Sequence, residues 1–357
     1  MPLTILSVAY PMMPVGPHAN GGAEQILSLV EKGIVESGHR SLVISARGSR
    51  VSGELIETDT WDGKICPEME ERARADHLAK IEEALAEFPI DLIHFHGLDF
   101  HRYVPRTQIP MLATLHLPVE FYPSHVFERP AVSMNFVSES EAKSCGFGHA
   151  WPVIPNGIDI SAYTQAGSTD DYALVLARMC PEKGIHLALD AAHRCGLRLL
   201  IAGPVHPYPA HIEYFESQVR PMLDGKRVYL GPADLQTKRL LLQKAKCLIV
   251  PSTVAETSSL VSMEALACGT PVIAFHSGAL PEIIRHGVTG FIVDSVQGIE
   301  NALEQIDEID RAACRREAEQ CFSAETMVRK YVEHYRTLTN GLRRAAVAHH
   351  SMHRSMI

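Results

Sequence analysis

The sequence predicts an α/β protein made of two doubly wound halves that face each other, and three observations lead there. Short apolar runs alternate with amphipathic helical stretches along most of the chain. The runs are almost continuously hydrophobic, as parallel strands covered on both faces are. The alternation then restarts after a polar break near the middle. At 357 residues the chain is also too long for one ordinary core and suits two domains.

The elements follow in order. The strand-like runs are 3–9 (LTILSVA), 41–46, 91–96 (DLIHFH), 111–116 (MLATLH) and 134–138 in the first half. In the second they are 172–177 (YALVLA), 198–203, 227–231, 247–252 (CLIVPS) and 271–275 (PVIAF). Helical patterns occupy 23–37, 76–88, 185–195, 211–223 and 236–245, with Gly38 and Gly196 where helix C-caps end. Strand alternating with helix specifies βαβ units and a parallel sheet. Residues 153–171 (VIPNGIDISAYTQAGSTDD) combine Pro-Asn-Gly turn chemistry with a polar cluster and read as a linker. The expected domains are 1–162 and 170–325. Residues 48–75 are polar and suggest no element, and 343–357 read as a disordered tail.

Composition removes several classes. Hydrophobic residues make up 46% and charged residues 21%, ordinary for a soluble globular chain. The net charge of −9 argues against nucleic-acid binding, which needs a basic face to displace counterions. The basic stretch at the end of the chain, with Arg329, Lys330, Arg336, Arg343, Arg344 and Arg354, is the one candidate for peripheral contact with a membrane surface. No run approaches the ~20 apolar residues of a membrane span, and the N-terminus lacks a signal-peptide pattern. The eight cysteines form no C-x-x-C pair and suit a reduced, cytoplasmic protein.

Residues 251–282 (PSTVAETSSLVSMEALACGTPVIAFHSGALPE) place two carboxylates in an apolar setting. Ser258 or Ser259 can N-cap a helix that ends at about Cys268, with Gly269 and Pro271 stopping it. Glu256 then lies in a loop at the carboxyl end of a strand, the edge at which open α/β sheets bind ligands. Glu264 lies inside the helix. The amides of Thr257, Ser258, Ser259 and Leu260 open at its N-terminus, which favours an anion. A ligand with hydroxyl groups on both sides of a phosphate would fit all three features, and a nucleotide-sugar has that layout.

The same segment closely resembles the signature of family-4 retaining glycosyltransferases. Glu256 and Glu264 match its glutamate pair, Ala265–Ala274 its EALACGTPVIA stretch, and Gly278–Ile283 its G-x-x-x-E-I loop. NGGAEQ (20–25) resembles the glycine loop, ATLHLP (113–118) the histidine-bearing strand end, VIPNGID (153–159) the interdomain turn, and LARMCPEKGIHLALDAA (176–192) the phosphate-binding loop. The resemblance implies two Rossmann-like domains with the active site in the cleft between them (the GT-B fold). It also implies a C-terminal helix, at about 326–342, that rejoins the first domain.

The resemblance further implies a reaction. A hexosyl group would pass from a UDP- or GDP-sugar to a hydroxyl acceptor with retention. The leaving diphosphate itself could accept the proton. Arg178 and Lys183 would hold the diphosphate and stabilise its growing charge without a metal ion, so no metal ligands and no cofactor are expected. No D-x-D metal motif is present. Glu256 would touch the transferred sugar and Glu264 the ribose. Gly21 and Gly22 would admit the phosphates and acceptor closely. His116 would lie near acceptor and donor sugar, His96 on the acceptor side, and Asn156 among the substrate contacts, while His94 packs. This chain reads ETSS at Glu256–Ser259 where many members read E-P-F-G, so hydroxyl groups replace the proline and glycine. A glycan, a lipid-linked or a small-molecule acceptor all suit the sequence. The alternatives are a nucleotide-sugar epimerase or sugar phosphorylase on the same fold, and a non-catalytic nucleotide-sugar-binding protein.

Overall fold

The computed structural model describes residues 2–17, 19, 21–59, 66–128, 131–146 and 151–354, with side chains as far as residue 340. Its elements in chain order begin with β1 (Thr4–Val8), α1 (Gly22–Glu36), β2 (Arg40–Ala46), β3 (Glu54–Thr58), α2 (Pro67–Glu87), β4 (Leu92–Phe95), β5 (Met111–Thr114), β6 (Val132–Asn135) and α3 (Glu139–Ser144). They continue with β7 (Ala173–Leu176), α4 (Ile185–Arg194), β8 (Leu199–Ala202), α5 (Pro209–Tyr214), β9 (Arg227–Tyr229), α6 (Leu235–Lys244), β10 (Cys247–Val250), α7 (Leu260–Ala267) and β11 (Val272–Phe275). The chain closes with α8 (Leu280–Ile283), β12 (Gly290–Val293), α9 (Val296–Gln305), α10 (Arg311–Cys321) and α11 (Ala324–Arg354).

Two compact units result. The first comprises residues 1–137, 142–156 and 324–357, and the second 138–141 and 157–323. Each holds one six-stranded sheet whose described pairings are all parallel. The strand orders are β3-β2-β1-β4-β5-β6 and β12-β11-β10-β7-β8-β9. The predicted α/β class with two doubly wound sheets is the observed one. In each sheet the order reverses once, between β1 and β4 in the first unit and between β7 and β10 in the second. At such a switch point the loops leaving the two strands diverge and leave a crevice at the carboxyl edge.

The cores explain the apolar runs. Leu42, Leu92, Leu112, Leu174, Leu199, Leu248 and Val272 are fully buried, as strands covered on both faces require. In the first unit α11 packs on α1 at Gly33, where an added Cβ would stand 2.5 Å from both Val328 methyl groups. Only a residue without a side chain lets the two helices approach that closely.

Several local expectations need correcting. Residues 54–58 form the edge strand β3, although the stretch suggested no element. The helix expected from residue 76 begins at Pro67, whose fixed φ suits a first helical turn. The helix expected over 211–223 breaks into α5, a π turn at Phe215–Val219 and a 3₁₀ turn at Arg220–Met222, where Pro221 lacks the amide needed to continue. β12 was not anticipated. Helix α11 runs on through 343–354, the stretch expected to be disordered, while 355–357 and Asn20 of the glycine loop lie outside the described residues. Among the described residues no helix is long and apolar enough to cross a membrane, and all eight cysteines are free thiols.

Candidate functional site

The second unit's candidate site grows from the loops that leave β7, β10 and β11. The loop after β7 turns through Cys180, then a 3₁₀ turn at Pro181–Lys183, then Gly184, which starts α4. Gly184 has φ +60°, and a Cβ there would sit 2.1 Å from the Pro251 carbonyl oxygen. Glycine therefore lets this loop lie directly on the one after β10. The two loops are then stitched together. The amide of Thr253 donates to the Glu182 carbonyl at 2.9 Å, and Ser252 Oγ lies 3.2 Å from the same oxygen.

That packing brings Lys183 to Glu256. Their side chains form an ion pair and are only 22% and 14% exposed. Ser252 Oγ donates to the same Glu256 oxygen at 2.5 Å. Glu256 is also clamped through its backbone by the next loop. The amide of Ala279 donates to its carbonyl at 2.7 Å, and Gly278, at φ +52°, leaves no room for a Cβ. The Arg178 side chain is exposed and makes no ion pair or hydrogen bond among the described residues, while its carbonyl accepts from Cys180 Sγ at 3.6 Å. One cation is thus engaged by a carboxylate and the other is open to an anion.

Helix α7 begins where the capping pattern placed it. Ser259 is its N-cap residue, but its Oγ pairs with Ser262 Oγ at 2.8 Å and caps no amide. Ser258 Oγ is buried without a hydrogen-bond partner among the described residues. A buried hydroxyl at a helix N-terminus is a group that can hydrogen-bond an anionic ligand. Leu260 opens the helix and Thr257 precedes the cap. The helix ends at Cys268, with Gly269 at φ +71° just beyond it.

Glu264 is 3% exposed on α7. Its Oε1 accepts from Tyr163 Oη at 2.7 Å and from Lys238 Nζ at 2.6 Å. Desolvation, with the Glu264 charge beside it, pushes the Tyr163 hydroxyl strongly upward, so it stays a donor. Sequence reasoning missed both partners. They stand 101 and 26 residues from Glu264, and neither lies in a recognisable motif.

Within the first unit, Gly21 and Gly22 open α1 in the loop leaving β1, and His96 follows β4. Both therefore lie at that sheet's switch point. A Cβ on Gly21 would meet the Glu24 carboxylate at 1.8 Å, so the buried Glu24 side chain folds back over the helix entrance. Burial raises the Glu24 carboxyl above its ordinary range. His116 follows β5 and reaches His96, with Nε2 3.2 Å from His96 Nδ1. His96 Nε2 is 3.1 Å from His94 Nδ1. Asn156 is buried, with its Oδ1 unpartnered among the described residues.

The sequence separated His94, as packing, from His96 and His116, as ligand groups. The structure joins all three in one cluster, with His94 and His96 buried and His116 half-buried. Burial drives His116 down to about 4 and holds His94 and His96 well below the ordinary 6.5. His77, buried elsewhere in the same unit, is likewise pushed down to about 4. A folded pKa below the unfolded one stabilises the fold fully above the unfolded value of 6.5. That stability is lost as pH falls from there toward the folded value, because the unfolded chain takes up more protons. The melting temperature is therefore expected to be flat from pH 8 to about 7 and to fall steeply between about 6.5 and 4. Differential scanning fluorimetry across that range checks it, and a flat profile down to pH 5 contradicts neutral buried imidazoles.

One group of metal-ligand type occurs among the described residues. Ligand atoms of Cys180, Glu182 and His211 lie within 4.8 Å of one another beside the β7 loop. Burial and the neighbouring Glu182 push the Cys180 thiol up to about 12, so a cation would have to displace its proton.

Glycosyltransferases are what this chain is similar to. Residues 159–320, which contain Arg178, Lys183, Glu256 and Glu264, match the family model for glycosyl transferases group 1. Among curated relatives, the D-inositol 3-phosphate glycosyltransferase of Mycobacterium avium (strain 104) is 32% identical over 129 residues, 35% of this chain and 30% of the relative. The protein of the same name from Mycolicibacterium smegmatis is 31% identical over 159 residues, 40% of this chain and 36% of the relative. The matched stretch thus spans about a third of each of those relatives' length. Among solved structures, AviGT4, a glycosyltransferase involved in avilamycin A biosynthesis, aligns over 95% of this chain and 99% of its own, with 25% identity and a TM-score of 0.75. HepE of Anabaena, solved in complex with UDP and glucose, aligns over 94% of this chain and 100% of its own, at 20% identity and a TM-score of 0.74. The α/β fold is therefore one shared with GT-B glycosyltransferases.

Proposed function

We propose that this chain moves a hexosyl group from a nucleoside diphosphate sugar, UDP- or GDP-linked, to a hydroxyl acceptor. Transfer occurs with retention of configuration and without a metal ion. The observation that carries the reading is the Lys183–Glu256 pair at the switch point of the second sheet, just ahead of the α7 N-terminus. A diphosphate is the ligand that competes for Lys183. It would draw the ammonium away from Glu256, with Arg178 and the α7 amides sharing its charge. Glu256, released, would accept hydroxyl hydrogen bonds from the sugar. Glu264, held in place by Tyr163 and Lys238, keeps Oε2 to accept from the ribose.

As charge builds on the leaving diphosphate, fixed cations stabilise it more than they stabilise the ground state, which is what lowers a barrier. The departing diphosphate oxygen takes the acceptor's proton, so the step needs no protein nucleophile. In the same reading, His96 serves the acceptor, His116 the acceptor and the donor sugar, the Gly21–Gly22 turn the phosphates and the acceptor, and Asn156 the bound substrate.

A thermal-shift panel of nucleotide-sugars tests the donor, since a ligand that binds only the folded chain raises its melting temperature by mass action. D-Inositol 3-phosphate belongs among the acceptors tried, because the mycobacterial relatives bear its name. Turnover is expected to persist in excess EDTA. Loss that manganese or magnesium restores overturns the metal-free mechanism. Epimerised donor without acceptor, or turnover dependent on inorganic phosphate, would redirect the reading to an epimerase or a phosphorylase.

A further inference from the structure

The loop that carries Arg178 and Lys183 also gathers a sulfur, a carboxylate and an imidazole. Cys180 is the N-cap residue of the 3₁₀ turn at Pro181–Lys183, and Glu182 is the middle residue of that turn. His211 comes from α5, beyond β8. The Cys180 Sγ, a Glu182 carboxylate oxygen and a His211 ring nitrogen lie within 4.8 Å of one another. A tetrahedral zinc ion, with bonds of about 2.3 Å to sulfur and about 2.0 Å to nitrogen and oxygen, holds such atoms about 3.5 Å apart. Small torsions of the half-buried Glu182 and His211 side chains close that gap.

The backbone beneath the three residues is held from independent directions. The turn closes on itself, with the Lys183 amide donating to the Cys180 carbonyl at 3.1 Å and the Gly184 amide to the Pro181 carbonyl at 3.0 Å. The Glu182 carbonyl is the oxygen that the Thr253 amide reaches from the loop after β10. Helix α5 is tied to the start of α4 by the buried Tyr214, whose Oη lies 3.2 Å from the His186 amide and 3.0 Å from His186 Nδ1. Ligand groups on a preformed backbone pay little ordering entropy on binding.

The polar atoms themselves are of ligating type. His211 Nδ1 is buried without a hydrogen-bond partner among the described residues. The Cys180 thiol is buried within hydrogen-bond reach of the Glu182 carboxylate. Glu182 and His211 are each partly open to solvent, which gives an ion a way in.

We propose that Cys180, Glu182 and His211 bind a zinc ion through one sulfur, one oxygen and one nitrogen, with a fourth position left to water. The donor set selects the metal. Thiolate with imidazole suits zinc, whereas magnesium and calcium take oxygen ligands. As the zinc–sulfur bond forms, the S–H bond breaks and its proton passes to water. Thiolate and carboxylate then carry two negative charges, which balance the ion even with the Arg178 cation acting on Glu182. The bound ion joins α5 to the loop of Arg178 and Lys183. None of its three ligands is among the residues given to donor or acceptor, so the site is additional to the metal-free transfer and independent of it.

The test uses the full chain, stripped with EDTA and then freed of chelator, with zinc and cobalt(II) as probes. Calorimetry should show zinc binding, zinc should raise the melting temperature, and cobalt should give the charge-transfer band of a thiolate–metal bond. Cys180→Ser should abolish the band. His211→Gln and Glu182→Gln should each weaken zinc by about tenfold or more, since even the outer partners of a metal site are worth about 10–100-fold. Excess magnesium should leave the cobalt band unchanged. Absence of the band in the wild type overturns the proposal. So does a band that survives Cys180→Ser, which would put the metal on the exposed Cys66, Cys195 or Cys321. Displacement of cobalt by magnesium overturns the zinc assignment. If Cys180→Ser does not fold, His211→Gln decides, and unchanged zinc affinity there overturns the site. No readout uses donor or acceptor, so failure here leaves the glycosyltransferase reading standing.

Discussion

Glu256→Gln is expected to lower kcat with the intact donor by about 10²-fold or more, the scale on which losing one preorganised electrostatic group acts. The substitution keeps the side chain's shape, its backbone clamp from Ala279 and its contact with Ser252. It removes only the charge. Because Glu256 is the ion-pair partner of Lys183, neutralising it frees the ammonium rather than removing it. Affinity for the bare nucleoside diphosphate should therefore hold within about threefold, a change well under the 1.4 kcal/mol of a tenfold effect. Steady-state turnover paired with calorimetric binding of the nucleotide checks both halves. Near-normal turnover, or nucleotide affinity that collapses with turnover, would remove Glu256 from the chemistry.

Glu264→Ala is expected to act on binding and on stability together. It takes acceptors from the ribose, so donor and free nucleotide should weaken alike by about tenfold or more, the value of a hydrogen bond to a charged group. It also strips Tyr163 and Lys238 of their shared partner. Uncoupling a buried pair costs about 3–5 kcal/mol, and the 20% exposure of the Lys238 side chain puts this case toward the lower end. Glu264→Gln separates the two effects. It retains an oxygen for Tyr163 and should recover part of the melting temperature. Unchanged nucleotide affinity in a folded Glu264→Ala protein would refute the ribose assignment.

How much of this was legible in the sequence varies with the range over which each feature is determined. The strands over 172–177, 247–252 and 271–275 could be read because a strand covered on both faces must be apolar throughout. The edge strand β3 could not. Its residues ELIET are exposed or half-exposed except for Thr58, and only its pairing with β2 makes them a strand. Helix α7 announced itself through Ser259 and Gly269, which act within a few residues. The same serines misled on mechanism, because the side chain that could cap the helix bonds Ser262 instead. Among site residues, Lys183 and Glu256 stood in recognisable loops, yet nothing local said that they touch across 73 positions. Tyr163 and Lys238 were invisible for the same reason. Their role is to hold other side chains still, and that is a property of the folded neighbourhood.

Helix α11 has a consequence for how the protein is made. The second unit is almost continuous in sequence from 157 to 323, whereas the first needs residues 324 onward, where Val328 fills the space at Gly33 and Tyr331 and Tyr335 close the histidine network. On the ribosome the first unit is therefore begun before the second and completed after it. It waits through the synthesis of the whole second unit with an apolar groove on α1 and buried-type histidines lacking their tyrosine partners. During that interval it is open to misassociation, and emergence of α11 from the exit tunnel is the event that supplies its missing partner.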